Sequence, residues 1–525
     1  MTISSDFPTL LTICAVLALL PLTSMYLLRR RQSKLPLPPG PPKLPLVGNL
    51  FNYPSTFEWE TYMEWSRMYD SDILHLGVAG RSIVVLSSKD AAMDLLEKRS
   101  AIYSDRSVLM NIGLVLDLTW NRPRLPMSNS IWMAAMQKRA HRRLFHGVFH
   151  EQAAKKFLPA QLSATHQLLR RMLHTPEDFV AHLRHMAGRL IMETAYGIDV
   201  LPQNDPYVNL AEKALHSLAY ALVPGRFIVD SLPVLKYIPM WFPGAGFQRL
   251  AKEWKNFANE MIEKPYAEAK LKIASGNAPH SFTASALQSL EDSNDKEYRE
   301  RVIKGTAGTM YTAASDTTVA ALNTFILAML ANPEAQKKAQ AEIDSVVKRG
   351  HLPDFDDEAS LPYVTAVFME VLRWQPVTPI GMPHCVSVED EYRGYRIPAN
   401  STVIANIWAI LHDEIVYPDP YIFNPERFLL DGKLNSSVQW PDAAFGFGRR
   451  ICPGRHMAKS SIWIGIASIL AAFDITKEVG QDGQVVEPSY EYFAAMVLMP
   501  LPFQCSIRPR SKEAEALIRA TADQE

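Results

Sequence analysis

Apolar residues recur at helical spacing through most of the chain, in long runs over 151–172, 180–195, 247–274 and 299–330. Strand-like alternation is confined to short pieces. Ile73, His75 and Gly77, then Ser82, Val84 and Leu86, predict two strands about an Ala79-Gly80 turn, and further strand-like runs lie at 392–397 and 402–407. Polar stretches at 277–295 and 350–357 predict loops, and a proline-dense meander is expected over 417–428. After Cys452 the spacing of Met457, Ala458, Ile462, Trp463, Ile466, Ile469, Leu470 and Phe473 predicts a buried helix. The fold class is therefore mostly α with small β-sheets, an α+β protein without internal repeats.

The pattern changes at the start of the chain. Residues 7–28 carry no charge and are rich in leucine, enough to cross a bilayer core, which needs about 20 residues as a helix. Arg29, Arg30, Arg31 and Lys34 follow at once, so the positive-inside rule puts the body in the cytosol. A cleavable signal peptide would carry its basic residues before the apolar run. Prolines 36, 38, 39, 41, 42 and 45 then form a stiff extended hinge, or a ligand for a proline-binding module. Residues 1–35 read as a membrane anchor with a basic flank, and 36–525 as one large domain.

Composition narrows the function. With 48% hydrophobic residues a large core is available, and a net charge of -1 gives no reason to expect nucleic acid as a partner. Four scattered cysteines, Cys14, Cys385, Cys452 and Cys505, make no disulfide framework and fit a reducing compartment.

The chemistry gathers at Phe445-Gly-Phe-Gly-Arg-Arg-Ile-Cys-Pro-Gly454. Gly446 and Gly448 allow sharp turns, and Pro453 fits the first turn of the helix that follows. A thiol at a helix N-terminus, close to Arg450, is expected to ionise easily and to serve as a metal ligand. The bland alternatives are a buried structural cysteine or a zinc pair of Cys452 with His456, for which no second Cys/His pair is spaced to complete the site.

In its order Phe445, Gly448, Arg450, Cys452, Gly454 this loop resembles the haem-binding loop of the cytochrome P450 family, closest to fungal, basidiomycete-like microsomal members of secondary metabolism. The resemblance extends over nearly all of the chain after the anchor, including the proline hinge. It implies the cytochrome P450 fold, haem b with Cys452 as the axial thiolate, and anchorage at the endoplasmic reticulum with the catalytic domain on the cytosolic side. It also implies electrons from NADPH through a separate NADPH-cytochrome P450 reductase, since this chain shows no flavin or nicotinamide fingerprint. Arg142, Arg143, Arg449, Arg455 and Lys459 are candidates for docking that acidic partner.

Other segments match the family in part. Ala313 to Thr318 resembles the oxygen-activation motif, giving Asp316 and Thr317 catalytic roles, with Ala314 where glycine is usual. A hydroxyl there can bond the carbonyl one turn back and open a polar notch; the bland reading is a small-residue packing face. Glu370 and Arg373 share a helix face, a pattern expected by chance roughly once or twice per chain. With Arg427 they resemble the family's structural triad. For the haem propionates, Arg450, His384 and Arg142 are the candidate partners, although Lys138 stands where tryptophan is usual before Arg142. The alternative for the 138–143 cluster is a solvated basic face.

Met310, Ala313, Val377, Ile380, Met382, Met496 and Val497 form an apolar candidate pocket without an acid for an amine, which points to a terpenoid-like hydrophobic substrate. The implied reaction inserts one atom of dioxygen, by hydroxylation or epoxidation; a thiolate ligand favours the O–O cleavage this needs. Competing readings are an aromatic or indole hydroxylase, a haem-thiolate isomerase or dehydratase that needs no reductase, and a non-enzymatic haem or lipid-binding membrane protein.

Overall fold

The helix Lys296–Ala331 runs through the middle of the molecule and organises the rest. From Val319 to Leu330 every residue is buried, which explains a sequence apolar on all sides rather than striped. It is also long and apolar enough to cross a membrane, but most of it is enclosed by protein. The computed structural model describes residues 35–524 except 46, 79, 107–138, 222–226, 228, 230–234, 236, 291–294 and 495–496. The expected anchor at 7–28, Lys138 and Met496 lie outside the described residues.

Among the helices that pack on this central one, three set the position of the cysteine loop. Phe179–Tyr196 lies along it, Pro362–Trp374 crosses near its C-terminal half, and Arg455–Ala472 follows the cysteine loop. The last makes its close approach where Gly465 meets Leu322; a Cβ on Gly465 would stand 3.1 Å from the leucine side chain. Trp463 is tied down through its indole N–H, which donates to Thr365 Oγ1 at 3.0 Å. The cysteine loop thus begins on a helix whose position is set by the core.

A five-stranded sheet flanks the helical body, in the order Ile73–Val78, Arg81–Leu86, Thr402–Ala405, His384–Cys385, Asp105–Arg106. The first two strands form the expected antiparallel hairpin, Ile73 opposite Leu86. The third runs parallel to the second, with Val84 beside Val403. A parallel pair needs a long crossover, and here that crossover, from Leu86 to Thr402, includes the central helix and most of the other helices.

The boundaries differ from the expected ones where short polar signals compete with periodicity. The run at 392–397 is a hairpin of Asp390–Tyr392 and Tyr395–Ile397, turning at Arg393 and Gly394, both with positive φ. The run at 402–407 ends as a strand at Ala405, because Asn406 caps a short helix, Ile407–Leu411, by accepting from the Ala409 amide. Within the expected loop 277–295 Ser281 caps the helix Phe282–Gln288. The 151–172 run divides into Glu151–Ala154 and Leu158–His174 around a 3₁₀ turn.

Candidate active site

Cys452 sits on a loop held at both ends. Its amide donates to Phe445 O at 2.8 Å, and the helix Arg455–Ala472 begins three residues later. Gly448 has φ +57°, and a Cβ there would stand 2.1 Å from Leu96 O, so the loop is pressed against the turn Met93–Lys98 in a way only glycine permits. Two influences on the thiol oppose each other. Burial pushes it up from its ordinary value, against the lowering effect of the Gly454 amide, Arg455 and Arg142. Arg450 is not among these; its Nε donates to Ser104 O at 2.7 Å.

Three guanidinium groups converge beside the loop. Arg142, on the helix Arg139–Phe149, donates from Nη2 to Ile451 O at 3.0 Å. Arg106, on the edge strand, donates to the carbonyls of Met382 and Pro383. Burial, then repulsion from Arg450 and Arg142, holds Arg106 down to about 9. Its Nε is buried and has no hydrogen-bond partner among the described residues. Such mutual repulsion leaves the cluster short of negative charge. His384 is buried and donates from Nδ1 to Tyr103 O at 2.7 Å; burial and then Arg106 push it down to about 3, so it is neutral and serves as a strand anchor. His141 is likewise occupied, 2.8 Å from Thr306 Oγ1.

On the central helix the Thr317 hydroxyl donates to Ala313 O at 2.8 Å, the back-bond expected from the sequence. Ala313 and Thr317 lie on an accessible stretch of an otherwise buried helix. Ala314 packs against the apolar cluster that contains Tyr196 and Tyr311. Asp316 has its carboxyl raised, chiefly by burial, with Arg184 opposing and Glu212 reinforcing the shift. Those two partners are themselves 3.3 Å apart.

Glu370 and Arg373 are fully buried and paired bidentately, Nε to Oε2 at 2.7 Å and Nη2 to Oε1 at 2.8 Å. Arg427 Nε reaches the same carboxylate at 3.2 Å, and the Asn424 amide donates to it at 2.8 Å. Arg427 also holds the carbonyls of Pro418, Asp419 and Ile422. One carboxylate therefore fastens a helix to the meander that leads to the cysteine loop.

The expected pocket residues separate. Val377 O accepts from the Leu498 amide at 2.9 Å, which brings the 377 and 497 segments together. Met310 is 3% exposed within an apolar cluster, and Ile380 is half-buried against two others, under the sheet and beside Trp408. Met382 contributes its carbonyl to Arg106.

A family model described as Cytochrome P450 matches residues 38–507. The chain belongs to the cytochrome P450 family. It is 47% identical to Cytochrome P450 monooxygenase 98 of Postia placenta, over 94% of each chain. It is 44% identical to Cytochrome P450 monooxygenase ple1 of Rhodocybe pseudopiperita, over 94% of this chain and 93% of the relative. It is also 41% identical to a tryptamine 4-monooxygenase of Psilocybe cyanescens, over 93% and 96%.

This P450 is accordingly an oxidoreductase of the haem-thiolate monooxygenase kind, supplied with NADPH-derived electrons through a reductase as its family is. The residues present fit haem b: a thiol whose sulfur accepts from the Gly454 amide offers the axial ligand, and the Arg106 cluster offers cations to two carboxylates. Among the described residues no group of three His, Cys, Asp or Glu side chains is placed to hold a metal. Arg106 was missed in the sequence, because an isolated arginine on a two-residue strand carries no periodic signal.

Proposed function

We propose that this P450 hydroxylates or epoxidises an apolar, terpenoid-like small molecule as a tailoring step in fungal secondary metabolism. The supporting observation is the notch at Ala313 and Thr317, set in a helix whose neighbouring segments, at Val377, Val497 and Leu498, are apolar. Haem bound through Cys452 would supply dioxygen activation. Arg106, Arg142 and Arg450 would orient it by its propionates, Thr317 would hold a proton donor at the notch, and Asp316 would pass protons inward. The Glu370, Arg373 and Arg427 lock would keep the loop in register.

In this reading residues 1–35 anchor the protein in the endoplasmic reticulum membrane and 36–525 form the catalytic domain on the cytosolic side. Arg143 and Arg449 are exposed and support docking of an acidic reductase. Arg142 is turned inward, and Lys459 is engaged with Asp442 at 2.6 Å. The likeness to a tryptamine 4-monooxygenase supports a second reading, an aromatic hydroxylase.

The test is microsomal protein reconstituted with an NADPH reductase and offered a sesquiterpenoid panel beside an indole-amine panel. Oxygenated terpenoid products that require both NADPH and dioxygen are expected. Turnover of indoles alone selects the second reading, and product without NADPH overturns both.

A further inference from the structure

A second cleft, of about 560 Å³, opens between the start of helix Glu58–Met68, the end of Pro362–Trp374 and the segment leading into strand Tyr492–Ala494. Its walls are aromatic. Phe57 and Trp59 meet edge to face, with centroids 5.3 Å apart, and Trp408 lies 6.2 Å beyond Trp59. Tyr490 and Tyr492 line the same cleft. Trp408 is 5% exposed, and its indole N–H has no hydrogen-bond partner among the described residues. Two residues of the lining, Phe57 and Tyr490, hold left-handed backbone, φ +49° and +54°, a conformation uncommon for bulky side chains.

The polar part of the lining is acidic. Glu60 and Glu491 both contribute, with Gln375, and no lysine or arginine lines the cleft. Among the described residues neither carboxylate has an ion-pair partner. Aromatic faces carry negative charge density and attract a cation within about 6 Å of the ring centroid, more strongly when water is excluded. Carboxylates at the rim add charge without closing the cleft to apolar substituents.

We propose that this cleft binds an amphipathic organic cation, a protonated or quaternary amine whose charge faces Glu60 and Glu491 while its substituents pack on the half-buried rings of Phe57, Tyr490 and Tyr492. The site is separate from the Cys452 loop and independent of the substrate reading above. It adjoins the candidate pocket at Leu498, whose side chain lines the cleft and whose amide holds Val377 O.

The test uses the haem-loaded full chain in detergent, titrated with phenyltrimethylammonium in a calorimeter at constant ionic strength while the Soret band is recorded. One equivalent is expected to bind without a Soret change. The double variant Glu60→Gln, Glu491→Gln, altered at two exposed positions, is expected to weaken binding about tenfold, as the loss of two partly screened charges should. Phe57→Ala is expected to weaken it several-fold, with the carbon monoxide spectrum as the check on folding. No heat at saturating probe, an unchanged affinity in the double variant, or a Soret shift placing the cation at the haem would each overturn the proposal.

Discussion

Thr317 donates its hydroxyl to the carbonyl of Ala313, 2.8 Å away and one turn back along the central helix. Four further hydroxyls on this helix make the same bond, from Thr306, Thr309, Thr312 and Ser315, but all of those are buried. Only the Thr317 pair combines the bond with access to solvent or substrate. The position therefore differs from a packing face in exposure, not in local geometry.

If that hydroxyl holds the proton donor, Thr317→Val should keep the fold and the thiolate signal but lower product formed per NADPH. A loss of about a hundredfold would match the lower end of general-acid contributions. Thr317→Ser should restore most of it. Measuring product, hydrogen peroxide and NADPH in one assay separates lost coupling from lost binding; full coupling in the valine variant would remove Thr317 from the reaction.

The buried lock makes a different prediction. Removing one member of a buried, hydrogen-bonded ion pair costs about 3–5 kcal/mol, because its partner is left charged and unpaired. Arg373→Ala leaves Glu370 with Arg427 and the Asn424 amide as its remaining partners and frees the Leu411 carbonyl, so the cost should fall toward the lower end of that range. Urea unfolding should show the destabilisation, and the ratio of haem to protein should fall with it. A variant with wild-type haem content would limit the triad to a role remote from the loop.

Much of this site was legible because it is local in sequence. The cysteine loop needs its glycines and proline within ten residues, and the long helix declares itself through an apolar run too long for a strand. What the sequence hid depends on contacts across hundreds of residues. Arg106 is read as a site residue only when the edge strand brings it to Arg450. For Met310 and Ile380 the sequence says no more than apolar, since such side chains do not reveal whether they face a cavity or the core. The thiol shows the same limit: the helix start favours the anion, as the sequence suggests, while burial, which depends on the whole fold, opposes it.

His412 gives a pH signature away from the haem site. It stacks on Trp408 at 3.9 Å, and burial, then Arg373, pushes it down to about 3. Its unfolded value is near 6.5, so between those limits the unfolded chain takes up a proton that the folded chain refuses. Stability from this residue is complete above about pH 6.5 and falls as pH drops, by about 1.4 kcal/mol per unit. His412→Gln should flatten the acid limb of a stability profile measured in urea; an unchanged slope would show that His412 is already protonated when folded.

Arg106 is predicted to retain haem. Its unpartnered Nε and its repulsion from Arg450 and Arg142 leave it in want of an anion. Hydrogen bonds to charged groups contribute about 1.5–3 kcal/mol, so Arg106→Leu should speed haem loss to an apoprotein acceptor by about tenfold or more. Arg143→Leu, at an exposed position on the neighbouring helix, is the control and should leave the rate unchanged. Equal rates in the two variants would assign Arg106 to bracing the Met382 and Pro383 carbonyls alone.

The carbon monoxide difference spectrum of the reduced protein reports directly on the loop. Cys452→Ser removes the sulfur and should abolish the red-shifted thiolate band. Gly448→Ala keeps the sulfur but adds a methyl at φ +57°, 2.1 Å from Leu96 O, and that contact is with backbone, which cannot swing aside. The loop must move, so the thiolate band should shrink in favour of the unshifted one. Gly454→Ala adds the same methyl at φ -87°, with no atom within 4 Å, and should leave the band largely intact. The contrast between the two alanines separates the geometry of the loop from the mere presence of its cysteine. A full band in Gly448→Ala would mean that the approach to Leu96 does not set the position of Cys452.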